Sequence, residues 1–230
     1  MTNVDEVITE LKKLSSPKRI SSQEYFGIKN VQSFGLTVPQ MRAIAKRIGI
    51  NHPLALQLWK TKIHEARHIA SMIADEKFLT EKLMEQWLKD LNSWDIVDGC
   101  CSNYFRKSPV AYQKAMEWTS PKKEFEKRAG FSLMCYLAVH DKKAEDKKFE
   151  QFLPLIKKHS DDERNFVRKA VNWALRQIGK RNERLCKKTI SIGKEISKKE
   201  DASSRWIATD ALRELEKYLK DGKIRDVGVK

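Results

Sequence analysis

An indole and a carboxylate four residues apart, Trp94 and Asp98 in Ser93-Trp94-Asp95-Ile96-Val97-Asp98, are the side chains of this sequence best suited to chemistry. Ser93 can cap a helix, and the four-residue spacing then projects both side chains from one face. An aromatic face beside an anion favours a positively charged partner. Ile96, Val97 and Cys100 supply apolar contacts nearby, so the same pair could instead be a core tryptophan beside a surface carboxylate. A second candidate is Trp173, with Arg176 one turn beyond it, where an arginine could contact phosphate, stack on an indole or pair with a neighbouring acid.

The elements that must position these residues are helices. Apolar residues recur at three- and four-residue spacing almost everywhere, and period-two alternation is scarce. Breaks at Ser15-Ser16-Pro17, Gly49 to Pro53, Ser108-Pro109, Ser120-Pro121, Pro154 and Ser160 to Asp162 leave helices of roughly ten to eighteen residues. The segments resemble one another: Glu65-Ala66-Arg67-His68-Ile69-Ala70-Ser71-Met72 aligns with Glu126-Lys127-Arg128-Ala129-Gly130-Phe131-Ser132-Leu133. The register continues in Val167 to Ala174 and Ser203 to Asp210. The spacing of the copies approaches that of HEAT repeats, which predicts an all-α, solenoid-like stack of helix pairs with a concave inner groove. Arg67, Arg128, Lys169 and Arg205 hold equivalent places in the copies and are expected to form a basic stripe. Trp173 stands where the other copies have Ser71, Ser132 and Thr209. Gly130, inside a helix, costs about 1 kcal/mol relative to alanine for a reason the sequence does not give.

The chain has 230 residues, and no Pro/Gly/Ser-rich stretch divides it. One domain over 1–230 is therefore expected, with residues from about 220 onward a frayed polar tail in which Lys223, Arg225 and Lys230 add charge. Lys and Arg number 46 against 31 Asp and Glu, a net charge of +15. An excess of that size attracts polyanions, nucleic acid first among them, although it could also serve solubility alone. The N-terminus reads as an amphipathic helix rather than a secretory signal, and no apolar run approaches a membrane span. A soluble cytoplasmic monomer is expected. Cys100, Cys101, Cys135 and Cys186 form no C-x-x-C pair and are expected to be reduced core thiols. His64 and His68 are assigned to the surface rather than to an H-E-x-x-H zinc site, so no metal is expected. Neither a P-loop nor a G-x-G-x-x-G motif occurs, which argues against nucleotide-driven chemistry.

Several separated motifs carry a family resemblance. Tyr25-Phe26 with Phe34-Gly35-Leu36-Thr37-Val38-Pro39-Gln40-Met41-Arg42 is similar to an opening aromatic pair followed by G-x-x-x-P-x-x-R, and Trp94-Asp95-Ile96-Val97-Asp98 looks like W-D-x-V-D. With Arg128-Ala129 and Lys169-Ala170-x-x-Trp173-x-x-Arg176, these resemble the bacterial DNA alkylation repair family of HEAT-like repeat glycosylases, the AlkD type, over nearly the full length. The resemblance implies hydrolysis of the N-glycosidic bond of cationic N3- or N7-alkylated purines in duplex DNA, in the bacterial cytosol, without a cofactor. In it, Asp98 stabilises the sugar cation and positions water, while Trp94 and Trp173 flank the deoxyribose and contact the lesion. Arg128, Arg176, Lys169, Tyr25 and Phe26 are then DNA contacts.

Two positions depart from the family pattern. Ser93 stands where a second tandem tryptophan can occur, and Tyr136 where a backbone-binding lysine is expected. The alternative readings are a noncatalytic binder of damaged or unusual DNA on the same fold, and a helical scaffold for acidic protein partners.

Overall fold

The computed structural model describes residues 2–29, 31–223 and 225. Its described residues are helices joined by turns, with no named strand among them, only an isolated parallel bridge between Gln32 and Ile63. The fold is therefore the all-α class that the 3.6-residue periodicity predicts. The chain clusters into two compact units, Met1–Ser108 and Pro109–Lys230.

The first unit holds α1 (Val4–Lys13), α2 (Pro17–Tyr25), α3 (Val38–Ile48), α4 (His52–Lys60), α5 (His64–Ile73), α6 (Glu81–Asp90) and α7 (Trp94–Asn103). Helix α3 starts in a capping box: Thr37 Oγ1 accepts from the Gln40 backbone N–H, and the Gln40 side chain accepts from the Thr37 N–H. With Pro39 in the first turn, this gives a local reason for the Thr-x-Pro-Gln order. Helix α5 is packed between α3 and α7 and buries nine of its ten residues. Beside it, Trp59 and Trp87 stack with centroids 3.9 Å apart.

Arg67 belongs to this core, which corrects its expected place in a basic stripe. It is buried, donates to the backbone oxygens of Trp59 at 3.3 Å and Asp90 at 2.9 Å, and lies 5.1 Å over the Trp59 ring. Its charge is spent joining α4, α5 and α6.

The second unit holds α8 (Ala111–Glu117), α9 (Glu124–His140), α10 (Lys147–Glu150), α11 (Leu153–Lys158), α12 (Asn165–Gly179), α13 (Glu183–Ile196) and α14 (Ala202–Lys220). Its long second helices α9, α12 and α14 pack in sequence, α12 against both others. These are the helices whose sequences repeat. Gly130 is explained here: a Cβ at this position would lie 2.8 Å from the Trp118 carbonyl carbon and 2.9 Å from the Thr119 nitrogen. Only glycine lets α9 approach the end of α8 so closely.

Just after α12, Arg181 is fully buried and donates to carbonyls at and beyond the end of α9, those of Ala138, Asp141 and Ala144 at 2.7, 2.9 and 3.1 Å. It thereby satisfies carbonyls that a helix end leaves without intrahelical partners. Of the expected tail, the Arg225 backbone N–H donates to the Lys180 carbonyl at 3.3 Å. Lys230 lies outside the described residues. All four cysteines are buried, and burial raises the thiol pKa values of Cys100 and Cys186. Among the described residues, no helix is long and apolar enough to cross a membrane.

Candidate functional site

In the first unit, Trp94 and Asp98 occupy the first turns of α7, both half-buried. Ser93 holds the N-cap position, but its hydroxyl does not cap the helix; it donates to Asp95 Oδ1 at 2.8 Å. The Trp94 indole N–H donates to the Phe26 carbonyl at 3.1 Å, which fixes the ring against the end of α2. Tyr25 and Phe26 are 85% and 63% exposed and meet edge to face with centroids 5.2 Å apart. Four of the expected site residues, Tyr25, Phe26, Trp94 and Asp98, are thus in one neighbourhood. Two of them offer aromatic surface to solvent, as a stacking partner for nucleic acid must.

The chain between Tyr25-Phe26 and α3 is held by Glu65. One carboxylate oxygen accepts from the Ser33 hydroxyl at 2.7 Å and from the Gly35 and Leu36 N–H groups at 2.8 and 3.2 Å; the other accepts from the Phe34 N–H at 3.0 Å. Burial raises the Glu65 pKa, but these hydrogen bonds outweigh it and leave the carboxyl below its usual value.

The expectation of surface histidines is overturned on the same helix. His64 and His68 are 3% and 4% exposed, because α5 is packed between its neighbours. Asp95 Oδ2 accepts from His64 Nε2 at 2.8 Å and from His68 Nε2 at 3.1 Å. Burial raises the Asp95 pKa, yet the two histidine hydrogen bonds outweigh it and hold the carboxyl far below its ordinary range. With Glu65 between them, His64-Glu65-Ala66-Arg67-His68 has the H-E-x-x-H spacing, a signal in the sequence that the surface assignment passed over.

In the second unit, Trp173 is half-buried on α12 and meets Tyr136 of α9 edge to face, centroids 5.2 Å apart and planes at 86°. Tyr136, the departure from the expected lysine, therefore supports the tryptophan ring. Arg128 is buried on α9 and donates to the Phe166 carbonyl at 2.7 Å. Arg176 pairs with Glu214, and more distantly with Asp210 at 3.8 Å. Of the three roles open to it, pairing with an acid is the one seen. Lys169 and Arg205 are exposed.

Comparison with known proteins comes down on the same fold. A family model described as DNA alkylation repair enzyme matches residues 7–215. No curated protein matches the chain. A solved structure described as a new family of proteins related to the HEAT-like repeat DNA glycosylases, with affinity for branched DNA structures, is similar with a TM-score of 0.80 at 22% identity. The match covers 97% of this chain and 96% of that one. A designed armadillo repeat protein is matched at a TM-score of 0.41 and 14% identity over 94% of this chain and 95% of its own. The first of these likenesses assigns the helix pairs to the HEAT-like repeat fold. With the family model spanning nearly all of the sequence, the chain belongs to the DNA alkylation repair enzyme family.

Proposed function

We propose that this protein is a DNA glycosylase that releases cationic N3- or N7-alkylated purines from duplex DNA. The observation that carries the reading is the α7 constellation in a chain of this family: Asp98 one turn from Trp94, whose indole is fixed on Phe26 beside two exposed aromatic rings. The leaving base already carries positive charge and needs no proton. The barrier lies in forming an oxocarbenium-like sugar, and a carboxylate held close to it stabilises that charge. Indole faces favour the cationic base by about 0.5 to 2 kcal/mol each. Trp94 and Trp173 are the two indoles assigned this role. Lys169 is assigned to the phosphate backbone and Tyr25 and Phe26 to stacking, while Arg128 is buried against the Phe166 carbonyl and Arg176 is engaged by Glu214.

The test is single-turnover release of N7-methylguanine and N3-methyladenine from methylated duplex DNA. Removing one preorganised electrostatic partner costs on the order of 10² to 10³ in rate, so Asp98→Asn should slow release by that much with little change in DNA affinity. Trp173→Ala should slow release of the cationic base and spare binding of undamaged duplex.

A second reading is a noncatalytic binder of branched DNA. It is favoured by the similar structure, whose protein is described as having affinity for such DNA. Wild-type protein that binds a four-way junction in preference to duplex, and releases neither base, would establish it over the glycosylase.

A further inference from the structure

We propose that His64, His68 and Asp95 form a binding site for one divalent transition-metal cation of the Zn2+ type, joining α5 to α7. The three ligand atoms lie within 4.8 Å of one another. Both imidazoles turn Nε2 toward the same carboxylate oxygen, at 2.8 and 3.1 Å. Nitrogen and oxygen ligands each about 2.0 to 2.2 Å from a tetrahedral zinc stand about 3.3 Å apart, so the two nitrogen–oxygen distances need to open by a few tenths of an ångström while the two imidazole nitrogens, within 4.8 Å of each other, close toward that spacing.

The surroundings are built for it. The second Asp95 oxygen accepts from Ser93 Oγ at 2.8 Å, the kind of outer hydrogen bond that orients a ligating carboxylate. Gly99 clears room for the His68 ring, since a Cβ there would lie 2.9 Å from His68 Nδ1. The two histidine side chains are 2% and 5% exposed and that of Asp95 19%, which leaves a fourth position for water on the aspartate side.

Two imidazoles and one carboxylate suit Zn2+, Co2+ or Fe2+ better than Mg2+ or Ca2+, which prefer oxygen alone. Binding takes Nε2 of each neutral ring as the ligand and leaves the ring proton on Nδ1, so acid competes with the metal. The His-Glu-x-x-His spacing does not make this a metallohydrolase: Glu65, which would be the general base in that motif, is turned away and bonded to Ser33, Phe34, Gly35 and Leu36. The cation's role is to fix the first turn of α7, which carries Trp94 and Asp98.

The test uses the metal-free whole protein without DNA, so its outcome is independent of the glycosylase reading. Titration with Co2+ should give visible d–d absorption that saturates at one equivalent, without thiolate charge-transfer bands, and Zn2+ should displace it. A dissociation constant below about 10 µM for Zn2+ and a rise in Tm of about 3 °C or more at saturation are expected. Asp95→Asn and His68→Asn should weaken binding at least tenfold with unchanged far-UV circular dichroism, whereas His140→Asn should not. Should a variant unfold, imidazole nitrogen spectra of the wild type decide: Zn2+ must shift Nε2 of two histidines. No saturable binding, binding unchanged in both site variants, or shifts at other histidines would each overturn the proposal.

Discussion

His159 shows how strongly a single side chain can tie stability to pH. Its imidazole packs edge-on against Phe131 with centroids 5.9 Å apart, and burial, followed by the charges of Lys127 and Lys158, pushes its pKa down to about 4 against the opposing Asp161 and Asp162. The unfolded chain takes up a proton near pH 6.5, whereas the native state stays neutral until about 4. Stability should therefore be fully present above about pH 6.5, fall as the pH drops toward 4 and level off below it. His159→Gln should flatten that part of the Tm profile relative to wild type; parallel profiles would mean that the ring titrates normally. Residues of this kind divide sharply in how legible they are. Trp94, Asp98 and Trp173 stand out because they interrupt or decorate a repeating pattern. The burial of His64 and His68 was invisible, because it depends on α3 and α7 closing over α5, and the anchoring role of Glu65 depends on residues 33–36, some thirty positions away. Periodicity along one helix does not report which elements cover it.

At the scale of elements, most helix boundaries follow from local chemistry. The breaks at Ser15-Ser16-Pro17, Gly49 to Pro53 and Ser160 to Asp162 fall between α1 and α2, α3 and α4, and α11 and α12. Pro154, like Pro17 and Pro53, sits in the first turn of its helix, here α11, where its missing N–H costs nothing. Turns without Pro or Gly were harder to place. One of these joins α4 to α5 through Lys62, which adopts a φ of 60°, a conformation that nothing in its residue type announces. Packing between elements is less legible still, and Gly130 is the clearest case. Taken alone, Gly130→Ala should gain about 1 kcal/mol of helix propensity. Its added Cβ would instead meet Trp118, Thr119 and Ala115 backbone atoms at 2.8 to 3.0 Å, which cannot rotate away as a side chain could. The overpacking cost should win, with a net loss of about 1 to 3 kcal/mol in urea unfolding. A stabilised Gly130→Ala protein would mean that α8 and α9 do not approach as closely as described.

Across the whole molecule, a net charge of +15 must be distinguished from the charge that can reach DNA. Many cations are already committed: Arg67 and Arg181 to backbone carbonyls in the interior, and Arg176, Arg184 and Lys127 to carboxylates. Lys169 and Arg205 remain on the surface. Duplex binding that neutralises about four phosphates gives a log–log salt slope near −3.6, a loss of about 10² in affinity between 50 and 200 mM salt. Lys169→Ala should reduce the magnitude of that slope by about 0.9, whereas Arg176→Ala should change it less, because Arg176 is already paired with Glu214 and neutralises no phosphate from there. Equal effects of the two variants would show that Arg176 leaves its acid for phosphate when DNA binds. Salt also separates binding from chemistry. Counterion release governs association but not cleavage of a bond within the bound complex, so single-turnover base release at saturating protein should be nearly constant over the same salt range. A rate that falls with salt even at saturation would place a phosphate contact, rather than Asp98 alone, in control of the bond-breaking step.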